Sequence, residues 1–304
     1  MDITRRRFIQ YSSGIGAALG FSWRPVVADV QTLIENPIPS SGELIPAIGI
    51  GTNRYVVGNE AENALLRNTI ATFNQLGGQV VDTAPVYRSS ETILGQVIAD
   101  TKLRDRLFLA TKSDRDAGDG GIARLENSFV RLQTDRLDLV QSHNLRGAET
   151  MLPVLHEYKK DGRIRYVGIT TSRNEQFDDV LKWMRNTSLD FLQVNYSLAD
   201  REAGEKILPL AQEKGIAVLV NIPLARGQLF KAVGDRPLPG WASELGCQSW
   251  AQVFLKYVIS HPAVTCAIPG MTKARHVIDN LGAATGVMPG PAERRQIEQY
   301  FDSL

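Results

Sequence analysis

Eight short apolar runs recur along this chain, and each is followed by a polar loop and a longer segment with helical periodicity. Successive runs end between 25 and 32 residues apart, except for a final interval of 48. This alternation is typical of βα units around a parallel sheet. Hydrophobicity within the runs is continuous rather than alternating, which indicates strands buried on both faces. The predicted strands are 47–51, 79–83, 107–111, 137–142, 164–169, 191–194, 216–220 and 264–268.

Helical periodicity occupies the intervals between these runs and continues after the last one. Gly77, Gly162 and Gly215 stand just past predicted helix ends, where a left-handed residue is favoured. Asn174 is the expected N-cap of the helix that it begins. The predicted helices are 60–76, 91–100, 122–133, 149–160, 174–185, 201–214, 250–260, 271–284 and 292–300.

The number and order of these elements favour a closed barrel over an open sheet. Eight strand signals occur without a low-complexity linker, and no G-x-G-x-x-G follows the first run, as a dinucleotide-binding open sheet would require. Residues 38–46 predict a β-hairpin, around the Ser41-Gly42 turn, that plugs the bottom of the barrel. We therefore predict an α/β protein in which residues 29–304 form one (β/α)8 TIM barrel domain.

The first 28 residues differ in character from the rest of the chain. They hold four arginines against one aspartate, although the 304-residue chain carries a formal charge of only +1. The segment Thr4-Arg5-Arg6-Arg7-Phe8-Ile9-Gln10 resembles the twin-arginine export consensus, and an apolar stretch and an A-x-A-like site follow it. These features predict a signal peptide, residues 1–28, cleaved after Ala28, with the twin-arginine export machinery as a partner and a periplasmic location. The alternative, a cytoplasmic amphipathic helix, is disfavoured by three glycines in the apolar stretch.

Charge and hydropathy argue against two classes of partner. Near neutrality disfavours nucleic acid, which needs a concentrated basic face. No later apolar stretch approaches the roughly 20 residues of a membrane helix, so we expect the mature protein not to span a membrane.

Cys247 and Cys266 allow one disulfide in an oxidising compartment, but the apolar run around Cys266 favours a buried thiol. No Cys/His spacing suggests a metal site.

Four reactive side chains follow three consecutive predicted strands. Asp82 lies at the end of the second strand with Tyr87 five residues beyond it, whereas Lys112 and His143 come directly after the third and fourth. Active sites of (β/α)8 barrels lie at the carboxyl ends of the strands, so these side chains are expected side by side. We expect the Lys112 ammonium to lower the pKa of the Tyr87 phenol from about 10, with Asp82 holding Lys112 in place. The pattern predicts an acid built around a phenol.

Each of the four has a simpler explanation when taken alone. An aspartate or a lysine at a strand end commonly forms a structural ion pair. His143 could cap a strand through a backbone hydrogen bond, and Tyr87 could line the mouth as a half-buried aromatic. Their joint occurrence favours catalysis, because a site without chemistry has no physical reason to retain ionisable groups. Glycoside hydrolysis is disfavoured, since it needs paired carboxylates and only Asp82 is well placed.

These residues stand in motifs that resemble those of the aldo-keto reductase family. The family's D-T-A-x-x-Y, T-K and H motifs are matched in order by V-D-T-A-P-V-Y at 81–87, A-T-K at 110–112 and V-Q-S-H at 140–143. The resemblance implies NADP(H)-dependent reduction of a small-molecule carbonyl substrate. It implies that Tyr87 is the proton donor, that Lys112 and Asp82 tune it, and that His143 orients the carbonyl.

The resemblance also implies a nucleotide site, in which this chain departs from the family at several positions. Thr170 and Thr171 replace a Ser-Asn pair that holds the carboxamide, and Asn221 stands where an aromatic commonly stacks on the nicotinamide. The residues implied to contact the nucleotide are Gly51, Thr52, Thr170, Thr171, Gln193, Asn221, Leu224, Arg226, Gly270, Lys273, Arg275, His276, Asp279 and Asn280.

The adenosine end of this implied site decides between the two nicotinamide nucleotides. Gly270 and His276 stand where many family members carry basic residues. Lys273 and Arg275 offer the charge and the guanidinium fork that a 2′-phosphate requires, so NADP is favoured over NAD. The alternative is that these two side chains only solvate the start of a helix.

Two classes of function follow from these observations. The first is an exported reductase that acts on an aldehyde, a ketone or an aldose. The second is an exported nucleotide-binding partner or structural subunit with a residual active site. The complete set of four reactive side chains favours the enzyme.

Overall fold

The computed structural model describes residues 32–304, so the predicted signal peptide and its cleavage site lie outside the described residues. The described chain starts with an antiparallel hairpin of β1 (Glu35–Pro37) and β2 (Leu44–Pro46). Ile38 and Ile45 are buried and belong to the apolar cluster inside the barrel. The hairpin therefore covers one end of the barrel, as the sequence predicted, although its first strand begins three residues earlier.

Eight parallel strands neighbour one another in chain order and form the main sheet. Parallel bridges pair Ile48 with Ala267 and Gly51 with Gly270, which joins the first of these strands to the last. This nearly closed barrel confirms the predicted (β/α)8 fold. The strands are β3 (Ile50–Gly51), β4 (Val80–Asp82), β5 (Phe108–Ser113), β6 (Leu137–Ser142), β7 (Ile164–Thr170), β8 (Phe191–Asn195), β9 (Ala217–Asn221) and β10 (Cys266–Ala267).

Helices connect the strands, and their apolar faces contribute to the larger hydrophobic cluster that surrounds the sheet. The helices are α1 (Glu60–Gln75), α2 (Ser90–Thr101), α3 (Ile122–Leu132), α4 (Ala148–Lys160), α5 (Phe177–Asn186), α6 (Ala203–Lys214), α7 (Gln228–Val233), α8 (Gly240–Glu244), α9 (Trp250–Ile259), α10 (Ala274–Gly282) and α11 (Pro291–Asp302). The short helices α7 and α8 were not predicted. No helix among residues 32–304 is long and apolar enough to cross a membrane.

Local helix signals were partly correct. Gly77, Gly162 and Gly215 have φ of 89°, 75° and 64°, which confirms their left-handed positions. The predicted N-cap at Asn174 was wrong, because α5 begins three residues later and Asn174 lies in a 3₁₀ turn. There its side-chain amide donates to Asp200, which fixes one loop of the barrel rim.

The barrel interior changes from apolar to polar along the strands. Side chains near the strand starts form a compact apolar cluster, and Gly168 is required there because a Cβ would lie 2.5 Å from the Phe191 carbonyl oxygen. Toward the carboxyl ends the buried interior side chains become polar, and they include Asp82, Lys112, Gln141 and Gln193. The fold therefore places a buried polar layer directly beneath the mouth of the barrel.

Both cysteines are free and buried. Cys266 belongs to the interior apolar cluster, which confirms its prediction as a small hydrophobe. Burial raises the pKa of the Cys247 thiol to about 11. The disulfide that the sequence allowed is not formed in this structure.

Candidate active site

Asp82 and Lys112 form a buried ion pair at the mouth. The Lys112 ammonium donates to both Asp82 carboxylate oxygens, at 2.8 and 2.7 Å, and to the Thr83 carbonyl oxygen at 2.8 Å. Burial lowers the pKa of Lys112, but the Asp82 charge more than offsets this, and the pKa lies above its ordinary value. Lys112 is therefore a fixed ammonium with its three N–H groups engaged.

Tyr87 lies beside this ammonium on the loop that follows β4. The Lys112 nitrogen is 5.1 Å from the centre of the Tyr87 ring. Burial raises the pKa of Tyr87, and the charge of Lys112 opposes it without prevailing. The sequence-based expectation of a lowered pKa was therefore wrong in its net direction, because it considered the ammonium and not the desolvation of the phenolate. The phenol keeps its proton at neutral pH.

His143 faces Tyr87 from the end of β6. The two ring centres are 5.7 Å apart and the ring planes are nearly perpendicular, at 86°. Burial, together with the positive charges of Lys112 and Arg146, lowers the pKa of His143 to about 3. The imidazole is therefore neutral at physiological pH and retains one N–H donor. Its Nδ1 is buried and has no hydrogen-bond partner within residues 32–304.

The backbone around these groups is held in uncommon conformations. Arg88, Asn144 and Leu145 have φ of 49°, 52° and 59°, the left-handed region that non-glycine residues rarely occupy. These residues directly follow Tyr87 and His143 in the chain. Strained backbone conformations of this kind are common at functional sites. They persist only where contacts from the surrounding structure hold them in place.

Gln193, predicted to contact the nucleotide, reaches Asp82 in this structure. Its side-chain amide nitrogen donates to Asp82 Oδ1 at 2.9 Å, across the interior of the barrel. Asp82 thus accepts from Lys112 and from Gln193. This bond makes Gln193 a positioning residue for the ion pair, which the sequence did not reveal.

Several other residues that were predicted to contact the nucleotide form hydrogen bonds with other residues of the barrel rim. The Thr52 hydroxyl donates to the Asp82 carbonyl oxygen at 2.9 Å, and the Thr170 hydroxyl accepts from the Asn144 N–H at 2.8 Å. The Thr171 hydroxyl donates to the Gln176 side chain at 2.8 Å, so it is not free to replace the family's asparagine. These threonines shape the loops of the site.

The residues that were predicted to bind the adenosine end of the nucleotide fall into two groups in the structure, one bonded or buried and one exposed. Asp279 does not face the mouth as an open acceptor, because its carboxylate accepts from Ser249 at 2.7 Å and from Gln252 at 3.0 Å. Asn280 is buried and Leu224 is half-buried against the core. The remaining predicted residues of this end are exposed, and they are Arg226, Gly270, Lys273, Arg275 and His276.

The residues present fit a nicotinamide nucleotide. Asn221 donates through its Nδ2 to the Thr171 carbonyl at 2.8 Å, whereas its Oδ1 is buried and lacks a partner within the described residues. A carboxamide NH₂ is a donor of the kind that this oxygen requires. Gly51 lets the first barrel strand approach the last one closely, because a Cβ there would lie 2.9 Å from the Ile268 carbonyl oxygen. Exposed cations at Arg226 and Lys273 suit phosphate oxygens.

The sequence reasoning missed Gln141. This side chain is fully buried, and neither its amide oxygen nor its nitrogen has a partner within residues 32–304. Gln141 pairs in register with Lys112 and lies two residues before His143 on the same strand face. That two-residue spacing was the signal that could have identified it.

A second cleft of about 400 Å³ lies at the opposite end of the barrel, near the strand starts. Arg104, Arg165 and Asp138 line it and form ion pairs of 3.0 and 2.9 Å with one another. Charged groups satisfied in this way at the amino-terminal face of a barrel contribute to stability. The reactive groups therefore single out the carboxyl-terminal mouth.

Comparisons with known proteins point to one protein family. A model of the aldo/keto reductase family matches residues 47–289. The chain is 32% identical over 210 residues to the aldo-keto reductase YhdN of Bacillus subtilis (strain 168), a match that spans 63% of this chain and 62% of that protein. It is 30% identical over 277 residues to the methylglyoxal reductase YeaE of Escherichia coli (strain K12), covering 87% and 94% of the two chains.

Solved structures give the same assignment. An aldo-keto reductase from Klebsiella pneumoniae in complex with NADPH matches with a TM-score of 0.74 and 28% identity, over 88% of this chain and 96% of that one. The family model covers most of the barrel and includes all four reactive side chains. The chain therefore belongs to the aldo/keto reductase family.

Proposed function

We propose that the protein reduces an aldehyde or ketone to the alcohol with NADP(H) as cofactor. The observation that carries this proposal is the convergence of Asp82, Tyr87, Lys112 and His143 at one mouth. A buried ion pair, a protonated phenol and a neutral imidazole are the groups needed to protonate and orient a carbonyl oxygen.

The nicotinamide, when bound, supplies the hydride for the carbonyl carbon. Tyr87 holds a proton on its hydroxyl and donates it to the carbonyl oxygen as negative charge develops there. His143 donates a ring N–H to the same oxygen and orients it. A positioned acid of this kind contributes typically about 10²- to 10⁴-fold in rate.

Lys112 and Asp82 act on Tyr87 rather than on the substrate. The fixed ammonium stabilises the phenolate that remains after proton transfer, and its charge opposes the effect of burial on the Tyr87 pKa. Gln193 holds the Asp82 carboxylate from the far side of the barrel. We infer that this network keeps the ammonium aimed at the phenol during turnover.

Two features support NADP over NAD. Lys273 and Arg275 are exposed at the start of α10, where charge and a guanidinium fork can meet a 2′-phosphate. The Klebsiella pneumoniae relative is in complex with NADPH. Asn221 and Gln193 would hold the carboxamide end.

The experiment that tests the function is NADPH oxidation by the purified protein, followed at 340 nm with a panel of aldehydes that includes methylglyoxal. We expect aldehyde-dependent oxidation that is saturable in both substrates. Tight binding of NADPH without turnover of any aldehyde or ketone would instead support the alternative, an exported nucleotide-binding subunit with a residual site.

We propose further that the protein is exported by the twin-arginine route and works in the periplasm. The motif at residues 4–10 and the site before residue 29 support this location. Cell fractionation of the wild type and an Arg5→Lys/Arg6→Lys variant tests it. We expect periplasmic protein that starts at Asp29, and cytoplasmic retention of the variant. Equal distribution of the two proteins would contradict export.

A further inference from the structure

Five loops at the mouth are purely basic. The loops after β3, β4, β6, β9 and β10 each contain one lysine or arginine and no acidic residue. All five cations are exposed, and none has a side-chain hydrogen bond or ion pair within residues 32–304. They are Arg54, Arg88, Arg146, Arg226 and Lys273.

Many arginines elsewhere in the described part of this barrel have a carboxylate partner. Seven of the sixteen arginines that lie outside these loops within residues 32–304 pair with carboxylates, namely Arg67, Arg104, Arg124, Arg131, Arg163, Arg165 and Arg201. Two carboxylates on the loop after β5 also have their own partners. Asp114 binds Arg124 and Asp116 accepts from Thr150. The cations of the five basic loops therefore remain available to a ligand.

A bound nucleotide does not account for all five. The predicted nucleotide contacts Arg226 and Lys273 lie on the loops after β9 and β10. The strand order around the barrel places β6, whose loop carries Arg146, across from β10, and β4, whose loop carries Arg88, across from β8. Arg88 and Arg146 lie instead on the loops that carry Tyr87 and His143, which is the side of the reacting carbonyl.

The backbone of Arg146 is held close to His143. Its N–H donates to the His143 carbonyl oxygen at 3.2 Å, and its own carbonyl accepts from Ser142 at 3.0 Å. The next residue, Gly147, lies against the neighbouring loop, where a Cβ would be 2.3 Å from the Arg115 carbonyl oxygen. The charge of Arg146 is near enough to lower the pKa of His143. This loop therefore presents a guanidinium beside the reacting groups.

We propose that the carbonyl substrate carries a second, anionic group, a carboxylate or a phosphate, and that Arg88 and Arg146 bind it. The inference rests on the proposed reductase function and adds the substrate class. An arginine fork binds either anion through two parallel charge-assisted hydrogen bonds. The basic loops also concentrate anions at the mouth, which favours their encounter with the site.

The test uses substrate pairs that differ in charge. 4-Carboxybenzaldehyde and methyl 4-formylbenzoate form the carboxylate pair, and glyceraldehyde 3-phosphate and glyceraldehyde form the phosphate pair. The measured quantity is the ratio of kcat/KM for the anionic aldehyde to that for the neutral one. We expect this ratio to fall about tenfold in an Arg88→Gln/Arg146→Gln variant, mainly through KM, because charge-assisted bonds are lost.

A matched control removes the same charge elsewhere. Arg185 on α5 and Arg295 on α11 are exposed and have no side-chain partner within the described residues, and Arg185→Gln/Arg295→Gln is expected to leave both ratios unchanged. A loss in one pair only identifies the anion as carboxylate or phosphate. Ratios in the mouth variant equal to those of the wild type, in both pairs, would overturn the inference while leaving the reductase function standing.

A binding experiment separates this inference from the reaction itself. Monomethyl terephthalate and methyl benzoate have no aldehyde or ketone group and differ by one carboxylate, so calorimetric titration measures the contribution of the anion alone. We expect the wild type to bind monomethyl terephthalate more tightly, and the mouth variant to lose most of that preference. Absence of turnover with every aldehyde would contradict the proposed function, but equal affinities for the two ligands in the wild type would overturn the anion site.

Discussion

The Lys112 ammonium and the Asp82 carboxylate form a two-pronged contact, with N···O distances of 2.8 and 2.7 Å, in a part of the barrel where Lys112 is fully buried. A buried charge is costly unless it is paired, so the Asp82 carboxylate stabilises Lys112 as an ammonium and raises its pKa. Tyr87 and His143 are arranged around this pair. The chemistry that we propose depends on it.

Asp82→Leu should destabilise the protein strongly. The substitution leaves the buried Lys112 ammonium without its anion, and breaking a buried pair typically costs about 3–5 kcal/mol of unfolding free energy. Adding Lys112→Met should recover part of that loss because the uncompensated charge disappears. Urea denaturation of the single and double variants measures both effects. A single variant as stable as the wild type would contradict the role of the pair.

The pH dependence of kcat/KM should be flat between about pH 5.5 and 9. The pKa of His143 is lowered to about 3 from 6.5, so the imidazole gains a proton only in strong acid and remains a neutral donor over this range. Tyr87, whose pKa is raised, keeps its proton over the same range. An inflection near pH 6.5 that disappears in His143→Gln would show that the imidazole titrates normally.

Gly168→Ala should weaken the barrel. The added methyl would lie 2.5 Å from the Phe191 carbonyl oxygen of the neighbouring strand, and overpacking of this kind costs typically about 1–3 kcal/mol. Gly240→Ala is the control, because a Cβ there meets no atom within 4 Å. Thermal unfolding should show a lower Tm for Gly168→Ala alone. Equal midpoints for both variants would contradict the packing argument.

Lys273→Ala/Arg275→Ala should weaken NADPH binding about tenfold or more and leave NADH binding nearly unchanged. Both cations are exposed at the start of α10, where we propose that they bind the 2′-phosphate, which only NADPH carries. Fluorescence titration with both nucleotides measures the affinities, and Arg185→Ala/Arg295→Ala, on α5 and α11, supplies a charge-matched control. Similar losses for NADPH and NADH would indicate a general effect on the helix start instead.

The sequence predicted the barrel well where strands are buried and long. The boundaries of β6 were correct at both ends, because its apolar residues Leu137, Leu139 and Val140 stand between two polar loops. The strands β3 and β10 are shorter than the predicted runs 47–51 and 264–268, since isolated bridges rather than a continuous ladder close the barrel between them. Short helices such as α7 lack the length at which periodicity becomes visible.

The sequence predicted which reactive residues lie together in the candidate site, but not the hydrogen bonds and burial that act on them. Motif spacing brought Asp82, Tyr87 and Lys112 together, because their strands are neighbours. The bond from Gln193 to Asp82 crosses the barrel between residues 111 positions apart, which no local pattern encodes. The net effect on the Tyr87 pKa also required three-dimensional burial, because desolvation and the Lys112 charge act in opposite directions.

The most direct measurement of the central claim follows deuterium from NADPH labelled at C4 of the nicotinamide into the product alcohol, by mass spectrometry, for the wild type and Tyr87→Phe. We expect one deuterium on the carbinol carbon with the wild type. Tyr87→Phe should form labelled alcohol about 10²- to 10⁴-fold more slowly while binding NADPH with nearly unchanged affinity. Labelled alcohol formed at the wild-type rate by the phenylalanine variant, or no label transfer by the wild type, would contradict the account.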